Sequence, residues 1–462
     1  MSLFNEIETC ADPDAHEPEL VEIDKHLRIR KYTGQREELV KNLPHSKVLH
    51  TIDEREQICD NCGSTMVKVG EEFVRTEVQF IPAKLKVIDH YRETYECRSC
   101  RKNGTPYMEK APVPYPPVLH SLASASTITW LIHQKFELSI PLYRQEKEWE
   151  ALGLRLSRAT MSNWLLVVYR DWLVHIVHRL KLELLIHRYL LIDETHVQVL
   201  KVPGRINTSD SYMWVYCSIR DAVNPIRYFE YQPGRSGKYP EAFLREYEGY
   251  IHTDAFSGYN AVSGVKRCLC YTHLRRAFVD ALPKDIHNSE ASKAAEAILH
   301  LNQLFNIESE LEALPPDQKK KERLIREKPL LEAFWSWAEK SAIGELPKSK
   351  LSKAFHYALN NREGFWNYLE DGNCSISNSL AENCIRPFVI GRKNWLFSGS
   401  PKGAEASAGI YTLVETAKAN GLAPMKYIKY ILSDMPGSAF LEHPEYLDDY
   451  LPWNPLVKEF CR

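Results

Sequence analysis

The spacing of apolar residues changes twice along this chain. From His120 to about His187 they recur every three to four positions, the period of helices that bury one face. Pro141 follows Ser139 at a suitable first helical position, Leu152-Gly153-Leu154 marks a turn, and Ser157 is a ready cap for a helix over Arg158 to Tyr169. Two short helices joined in this way predict a helix-turn-helix. From Arg188 onward the pattern is that of strands. Arg188 to Leu200, Ser211 to Arg220 and Pro225 to Tyr231 read as strands, Tyr239 to Tyr247 as a helix, and Tyr250 to Thr253 as a further strand. That order predicts an α/β fold. Between about Asn288 and Leu369 the text is helical, broken by Pro315-Pro316, Pro329 and Pro347, and the α/β order is suspended as by an insertion. Ahead of all this, Val78 with Phe80 and Leu85 with Val87 alternate as strands do on either side of Pro82. The stretch from Ala111 to Pro117 holds four prolines and reads as a linker.

Composition narrows the class without naming a chemistry. With 462 residues, 44% of them hydrophobic, the chain is long enough for several folded domains and is far from the profile of a disordered one. Its net charge of −2 means that any nucleic-acid contact must come from local patches. One such patch is Lys25, His26, Arg28, Arg30, Lys31 and Arg36, readable as a phosphate-touching arm or as a solvated linker. The acidic start lacks the basic-then-apolar pattern of a signal peptide, and no run approaches eighteen apolar residues, so a soluble cytoplasmic protein is expected. In that compartment 11 cysteines are not a disulfide framework, and their spacing decides their use.

Cys59-x2-Cys62 and Cys97-x2-Cys100 are two such spaced pairs. Each offers two thiolates from one turn, and together they close a tetrahedral structural zinc site. A redox pair is the alternative, but it belongs in a thioredoxin-like βαβ pattern that this segment lacks. Cys10, Cys217, Cys268, Cys270, Cys374, Cys384 and Cys461 read as packing residues; the alternative for Cys268 and Cys270 is a partial metal site with His273, which lacks a fourth ligand nearby.

Three acids stand out. Asp193 follows Tyr189-Leu190-Leu191-Ile192 and Asp254 follows Tyr250-Ile251-His252-Thr253, and carboxylates at the ends of buried strands are costly unless they bind something. Alternation puts Thr195 on the face of Asp193 and turns Glu194 to the other, a structural position. Glu382 lies on a helix that Asn378 or Ser379 is placed to cap. Two strand-end aspartates and a helix-borne glutamate suit a pair of magnesium or manganese ions for phosphoryl transfer on nucleic acid. Taken singly, each acid also reads as a capping or salt-bridged residue. Arg386, Arg392 and Lys393 follow Glu382 closely, as phosphate contacts or surface ion pairs; His273, Arg275 and Arg276 are candidates for the strand being cut, with His273 equally readable as a buried structural histidine. In the helix-turn-helix, Arg158, Thr160, Ser162 and Asn163 face outward for DNA while Trp164 and Leu165 pack inward, a pattern that plain helical bundles share.

These residues fall in an order that resembles the transposases of the insertion sequence 66 family, bacterial mobile-element enzymes. The likeness runs through Asn42-Leu43-Pro44, the two cysteine pairs, Pro141-Leu142-Tyr143-Arg144-Gln145, Asp193-Glu194-Thr195, His252-Thr253-Asp254 with Gly258-Tyr259, and Cys270 to His273 with Arg275-Arg276-Ala277-Phe278. It continues through Ala381-Glu382, Arg386-Pro387, Gly391-Arg392-Lys393-Asn394-Trp395, Glu415-Thr416-Ala417-Lys418 and Leu451-Pro452-Trp453-Asn454. The resemblance implies a ribonuclease-H-like core with a helical insertion, preceded by a zinc ribbon and a helical DNA-binding segment. It also implies an Asp193, Asp254 and Glu382 triad, zinc on the first two cysteine pairs, and DNA cleavage followed by strand transfer. The partners it implies are element ends and target DNA, a second copy of the chain on DNA, and small accessory proteins of the same element. The expected layout is an acidic start and basic arm (1–50), a zinc module (51–110), a helical DNA-binding domain (111–185), the core (186–280 and 370–410) around an insertion (281–369), and a C-terminal segment (411–462). Two departures are visible: Ser377-Asn378-Ser379 stands where the family usually has Asp-Asn-Asn, and the coiled coil that often precedes the zinc portion is not seen. Two other readings stay open: a metal-dependent nuclease that cuts without joining, and a zinc-containing DNA-binding protein without catalysis.

Overall fold

A computed structural model of the protein describes residues 84–105, 108–283 and 292–462, with 47, 49, 51, 64–65, 68–71 and 73 before them. The basic arm, Asn42-Leu43-Pro44, Cys10, Cys59, Cys62, Val78 and Phe80 lie outside the described residues. The chain divides into two compact units, Met1–Pro82 and Ala83–Arg462.

The second unit opens on a small hairpin, β1 (Thr94–Glu96) antiparallel to β2 (Met108–Lys110), with the one-turn helix α1 (Arg98–Lys102) between them. The strand expected around Leu85 and Val87 is instead irregular chain. Leu85 and Val87 are exposed, and no described strand pairs with them to supply the ladder that alternation alone cannot.

Next come α2 (Ala125–Ile132), α3 (Leu142–Ala151), α4 (Arg158–Val168) and α5 (Val174–Ile186). Ser124 and Thr127 cap α2 reciprocally, and the Ser157 hydroxyl accepts the Thr160 amide at 3.2 Å to start α4. Pro141 sits at the cap position of α3, one residue earlier than expected. Gly153 takes φ +95° in the turn between α3 and α4, a conformation that a side chain would strain. α4 runs into α5 through a π-helical stretch, Tyr169–Leu173, so the two form one long rod.

Six strands make the main sheet, with β3 (Tyr189–Val199), β4 (Asp210–Ser218), β5 (Arg227–Gln232), β6 (Gly249–Thr253) and β7 (Val265–Leu269) in the order β5-β4-β3-β6-β7, after α6 (Lys238–Phe243) joins β5 to β6. The first three strands are antiparallel, whereas β6 and β7 run parallel to β3. Leu190, Leu191 and Ile192 of β3 and Trp214, Val215 and Tyr216 of β4 are almost fully buried, in one core with Ile128, Trp149, Trp164 and Leu165 of the helices. The helices that precede the sheet therefore share its core.

α7 (Tyr271–Asp280) leaves β7, and α8 (Lys293–Glu310), α9 (Pro316–Glu322), α10 (Lys328–Ala342), α11 (Lys350–Asn360) and α12 (Arg362–Trp366) follow. These helices close a second core with α7 and β7, built on Phe278, Phe334, Trp335, Phe355 and Tyr368. The chain then returns as α13 (Ser379–Trp395), the two-residue strand β8 (Phe397–Ser398) beside the far end of β3, α14 (Pro401–Ala419), α15 (Pro424–Asp434) and α16 (Pro455–Cys461). α14 covers the free edge of β5: its Thr412 and Thr416 hydroxyls accept the Phe229 and Arg227 amides at 2.8 and 3.1 Å. Edge amides that a sheet leaves unpaired are thus satisfied by a helix. No described helix is long and apolar enough to cross a membrane.

One buried cation ties the helical insertion to the approach to α13. Arg323, fully buried, grips Glu308 through two bonds of 2.6 and 2.9 Å and spends its other donors on the carbonyls of Tyr368, Asp371 and Cys374 at 3.1, 3.1 and 2.8 Å. Gly372 is needed at the same contact, because a Cβ there would lie 1.8 Å from the Pro316 carbonyl oxygen. Arg323→Met should therefore destabilise the protein by about 3–5 kcal/mol in chemical denaturation, since it leaves the Glu308 charge to Lys319 alone, 3.2 Å away, and strips three carbonyls of their donor. Arg326→Met, which breaks an exposed pair with Glu310, should cost about 1 kcal/mol or less. Adding Glu308→Leu to Arg323→Met should recover part of the loss; equal effects of the two single substitutions would show that the buried pair holds nothing.

Candidate active site

β3 and β6 deliver two acids to one end of the sheet. Parallel pairing ends with Leu191 beside His252, two residues before Asp193 and Asp254, after strands whose preceding residues are buried. The two acids thus leave neighbouring strands at the same end of the sheet, close enough for the Asp254 charge to act on Asp193. α13 packs across β3 and carries Glu382 in its first turn, where the helix dipole favours a negative group. Burial pushes the Asp193 carboxyl up to about 7; Glu194, Glu382 and Asp254 add to the rise, and only the Glu194 amide, donating at 2.9 Å, opposes it. The structure thus brings Asp193, Asp254 and Glu382 together from three elements.

The approach to α13 is fastened to β3 by two side chains. Asn378 occupies the cap position, but its carboxamide does not cap. It donates at 2.8 Å to the carbonyl of Ile192, immediately before Asp193, while the Ser379 amide turns to the Ser377 hydroxyl at 3.0 Å. His252 Nε2 accepts the Ser375 amide at 2.9 Å, which leaves the proton on Nδ1 to donate to Leu190 O at 3.2 Å. Ser377, where the resembling family carries Asp, is bonded to Thr272 of α7 at 3.2 Å. Neither Asn378 nor His252 was distinguishable by sequence as a clamp, because both bonds span the whole insertion.

The other face of β3 holds a feature that the sequence reading missed. Glu194 is turned away from Glu382, as alternation requires, and its side chain is 2% exposed. There it accepts bonds from the Tyr259 hydroxyl and from Arg235, whose Nε lies at 2.7 Å. Burial raises the Glu194 carboxyl and the Asp254 charge adds to the rise, while the Tyr259 bond and Arg235 work against it. Arg235 also stands 3.8 Å from Asp254 and stacks 4.0 Å over the Phe256 ring. The loop bearing Asp254 is clasped by Arg267, which donates to Thr253 Oγ1 and to the carbonyls of Asp254 and Phe256 at 2.7, 2.6 and 2.8 Å.

The sequence cluster of Cys268, Cys270 and His273 separates. Cys268 turns into the core toward His252 and Cys374, whereas Cys270 and His273 face Glu382. Burial works against ionising Cys270, but bonds from His273 and the Asn378 amide hold its thiol below the usual value. Cys217, Cys374 and Cys461 are buried, and Cys384 is partly so.

The expected DNA-facing residues lie on several surfaces. Arg158 and Asn163 are exposed on α4, Thr160 and Ser162 partly so, and Trp164 and Leu165 point into the core. Arg386 and Lys393 are exposed along α13, while Arg392 reaches Thr195 Oγ1 at 3.0 Å and the His196 carbonyl. Arg276 is exposed on α7, and Arg275 is held by Asn302 of α8 at 2.8 Å. In the hairpin, Cys97 caps α1 and Cys100 lies on it. Bonds from the Cys100 backbone and thiol draw the Cys97 thiol down, and the Cys97 thiol in turn pushes Cys100 up.

Two family models and several curated relatives match this chain. A family model described as the zinc-finger binding domain of transposase IS66 matches residues 56–101, the span of both cysteine pairs. Among curated relatives, the uncharacterized protein y4hP of Sinorhizobium fredii is 26% identical over 419 residues, 86% of this chain and 73% of that protein. The uncharacterized protein y4qI of the same organism is 27% identical over 434 residues, 89% of this chain and 76% of its own length. A second family model, described as Transposase IS66 family, matches residues 120–406 and spans the sheet, the insertion and α13. Matched over more than half of its length, the chain belongs to the IS66 family of transposases.

Proposed function

We propose that the chain is a DNA transposase that binds the ends of a mobile element and cuts and joins DNA through Asp193, Asp254 and Glu382. The observation that carries the reading is the meeting of three carboxylates from β3, the end of β6 and the first turn of α13, with Asp193 raised by burial first and by its neighbours' charge second. A cluster of oxygen donors that repel one another is the donor set that hard divalent cations take, so magnesium or manganese fits here. Bound there, such ions supply the Lewis acidity that phosphodiester attack and leaving-group departure need. The chain's own residues do the rest. Arg267, Asn378 and His252 hold the acids in place. Exposed Arg386 and Lys393 on α13, with Arg276 on α7, are set to take DNA phosphates, and Arg158, Thr160, Ser162 and Asn163 on α4 to meet the element end. The strand order, three antiparallel strands followed by two parallel ones, supports a ribonuclease-H-like core. Cys59, Cys62, Cys97 and Cys100 hold a structural zinc, and the protein works as a homo-oligomer on DNA with small accessory proteins of its element.

Glu382→Gln, Asp193→Asn and Asp254→Asn should each abolish cleavage and joining of labelled element ends in magnesium or manganese while leaving DNA binding nearly intact, because an amide keeps the shape and loses the charge that holds the cation. Glu194→Gln, facing Arg235, should keep more activity than any of the three. Cleavage by Glu382→Gln at the wild-type rate would remove the triad, and cutting without joining by the wild type would favour a nuclease.

Stability should register the burial of Asp193 beside other acids. A folded carboxyl at about 7 against an ordinary value of 3.8 means that the native state binds more protons than the unfolded chain between those limits. Asp193 therefore makes stability fall as pH rises through that window. In buffer free of divalent cations, Asp193→Asn should melt higher than wild type near pH 7.5 and no higher near pH 4, and magnesium should narrow the gap. A gap of the same size at both pH values would show that the Asp193 charge is not strained.

Purified protein should carry about one zinc per chain, lost on Cys97→Ser or Cys100→Ser. Metal analysis that finds none, with all four thiols freely reactive, would sink this assignment.

A further inference from the structure

We propose that Cys270, His273 and Glu382 form a second metal site, for a soft divalent cation of the zinc or cobalt kind, on the α7 side of Glu382. Cys270 caps α7 and His273 lies one turn in, so thiol and imidazole are presented from the same end of one helix. Cys270 is locked: its amide donates to Thr253 O at 3.1 Å, and its sulfur accepts the Asn378 amide at 3.2 Å. Opposite it, His273, whose ring also bonds the Cys270 sulfur, brings Nδ1 to 3.8 Å from Glu382 Oε1, and those two atoms are sealed from solvent with no closer partner.

That gap is the informative quantity. It is too long for a hydrogen bond, which closes at about 2.7–3.2 Å, and folded proteins rarely leave two buried polar atoms orphaned face to face. It suits two ligands of one ion: zinc bonds of about 2.0–2.2 Å to nitrogen and oxygen and about 2.3 Å to sulfur give tetrahedral edges of about 3.3–3.7 Å. The sulfur, nitrogen and oxygen donors all lie within 4.8 Å of one another, so a small side-chain adjustment brings them onto a single ion. His252, Cys268 and Cys374 are equally close, but both His252 nitrogens are already engaged, by the Ser375 amide and the Leu190 carbonyl.

Donor chemistry separates this site from the acid cluster. Thiolate and imidazole select zinc or cobalt over magnesium, whereas Asp193 and Asp254 offer only hard oxygen. Glu382 is common to both, so a soft ion on Cys270 and His273 draws its carboxylate away from the aspartates. Zinc is then an inhibitor of magnesium-supported cleavage. This consequence rests on Glu382 being a catalytic acid; the binding does not.

Full-length protein already carrying its ribbon zinc is titrated with cobalt(II) and followed by near-ultraviolet thiolate-to-cobalt absorption. Wild type is expected to take one further equivalent with that absorption. Cys270→Ser should lose the band and weaken the further equivalent by on the order of a hundredfold. His273→Asn should weaken it comparably, Glu382→Gln should weaken it, and Asp193→Asn should leave it unchanged. Retention of one ribbon zinc in each variant confirms folding. In the cleavage assay, micromolar zinc should inhibit wild type, and Cys270→Ser should resist. Absence of a sulfur-bound further equivalent in wild type, or its survival in both Cys270→Ser and His273→Asn, overturns the site. A Cys270-dependent band without zinc inhibition upholds the site and overturns the role given to Glu382.

Discussion

Like charges held against their will organise this molecule. The parallel pairing of β3 with β6 aims two carboxylates at one end of the sheet, and burial denies Asp193 the water that would screen it. A fold arranges that only if backbone pairing is strong enough to hold the acids in place, and the apolar residues before each acid provide it. The clasp of Arg267 around the Asp254 loop and the pairing of Glu194 with Arg235 then keep the surrounding charges from collapsing onto the pair.

The third acid arrives by a different route. Glu382 is separated from β7 by a helical excursion with a core of its own, and its placement depends on where that excursion hands the chain back. Arg323 and Gly372 fix the return at Asp371–Cys374, and Asn378 and His252 then fasten the next few residues to carbonyls at Ile192 and Leu190. The insertion is thus the jig that sets the height of α13 over the sheet. Damage far from the acids, at Glu308 or Arg323, reaches them through this chain of contacts.

How much of this the sequence disclosed follows from the range of each interaction. Strand and helix periods are local, so β3 to β6 and the capped helices were readable within a residue or two, and so was the orientation of Trp164 and Leu165. The acids stood out because a charge at the end of an apolar run is a local anomaly. Arg235 carried no such mark: a loop arginine between glycines looks like any solvated cation, and only folding places it on Glu194. Asn378 was readable as a cap by position, but its side chain answers a carbonyl nearly two hundred residues earlier, a partner that no local rule names. The grouping of Cys268 with Cys270 and His273 failed for the opposite reason. Cys268 belongs to β7, whereas Cys270 lies past its end at the start of α7, so a change of element parted neighbours in sequence.

The sheet has one more property, which bears on assembly. At its β5 edge two outward amides are consumed by threonines of α14, and at its β7 edge the Arg267 carbonyl is taken by Asn367 and Gly364 lies tight against Leu269. Both margins are thereby closed to recruitment of a foreign strand. Among the described residues, contacts with another chain are left to helices, loops or the hairpin of β1 and β2, and an aggregate seeded by extending this sheet would first have to peel a helix from it.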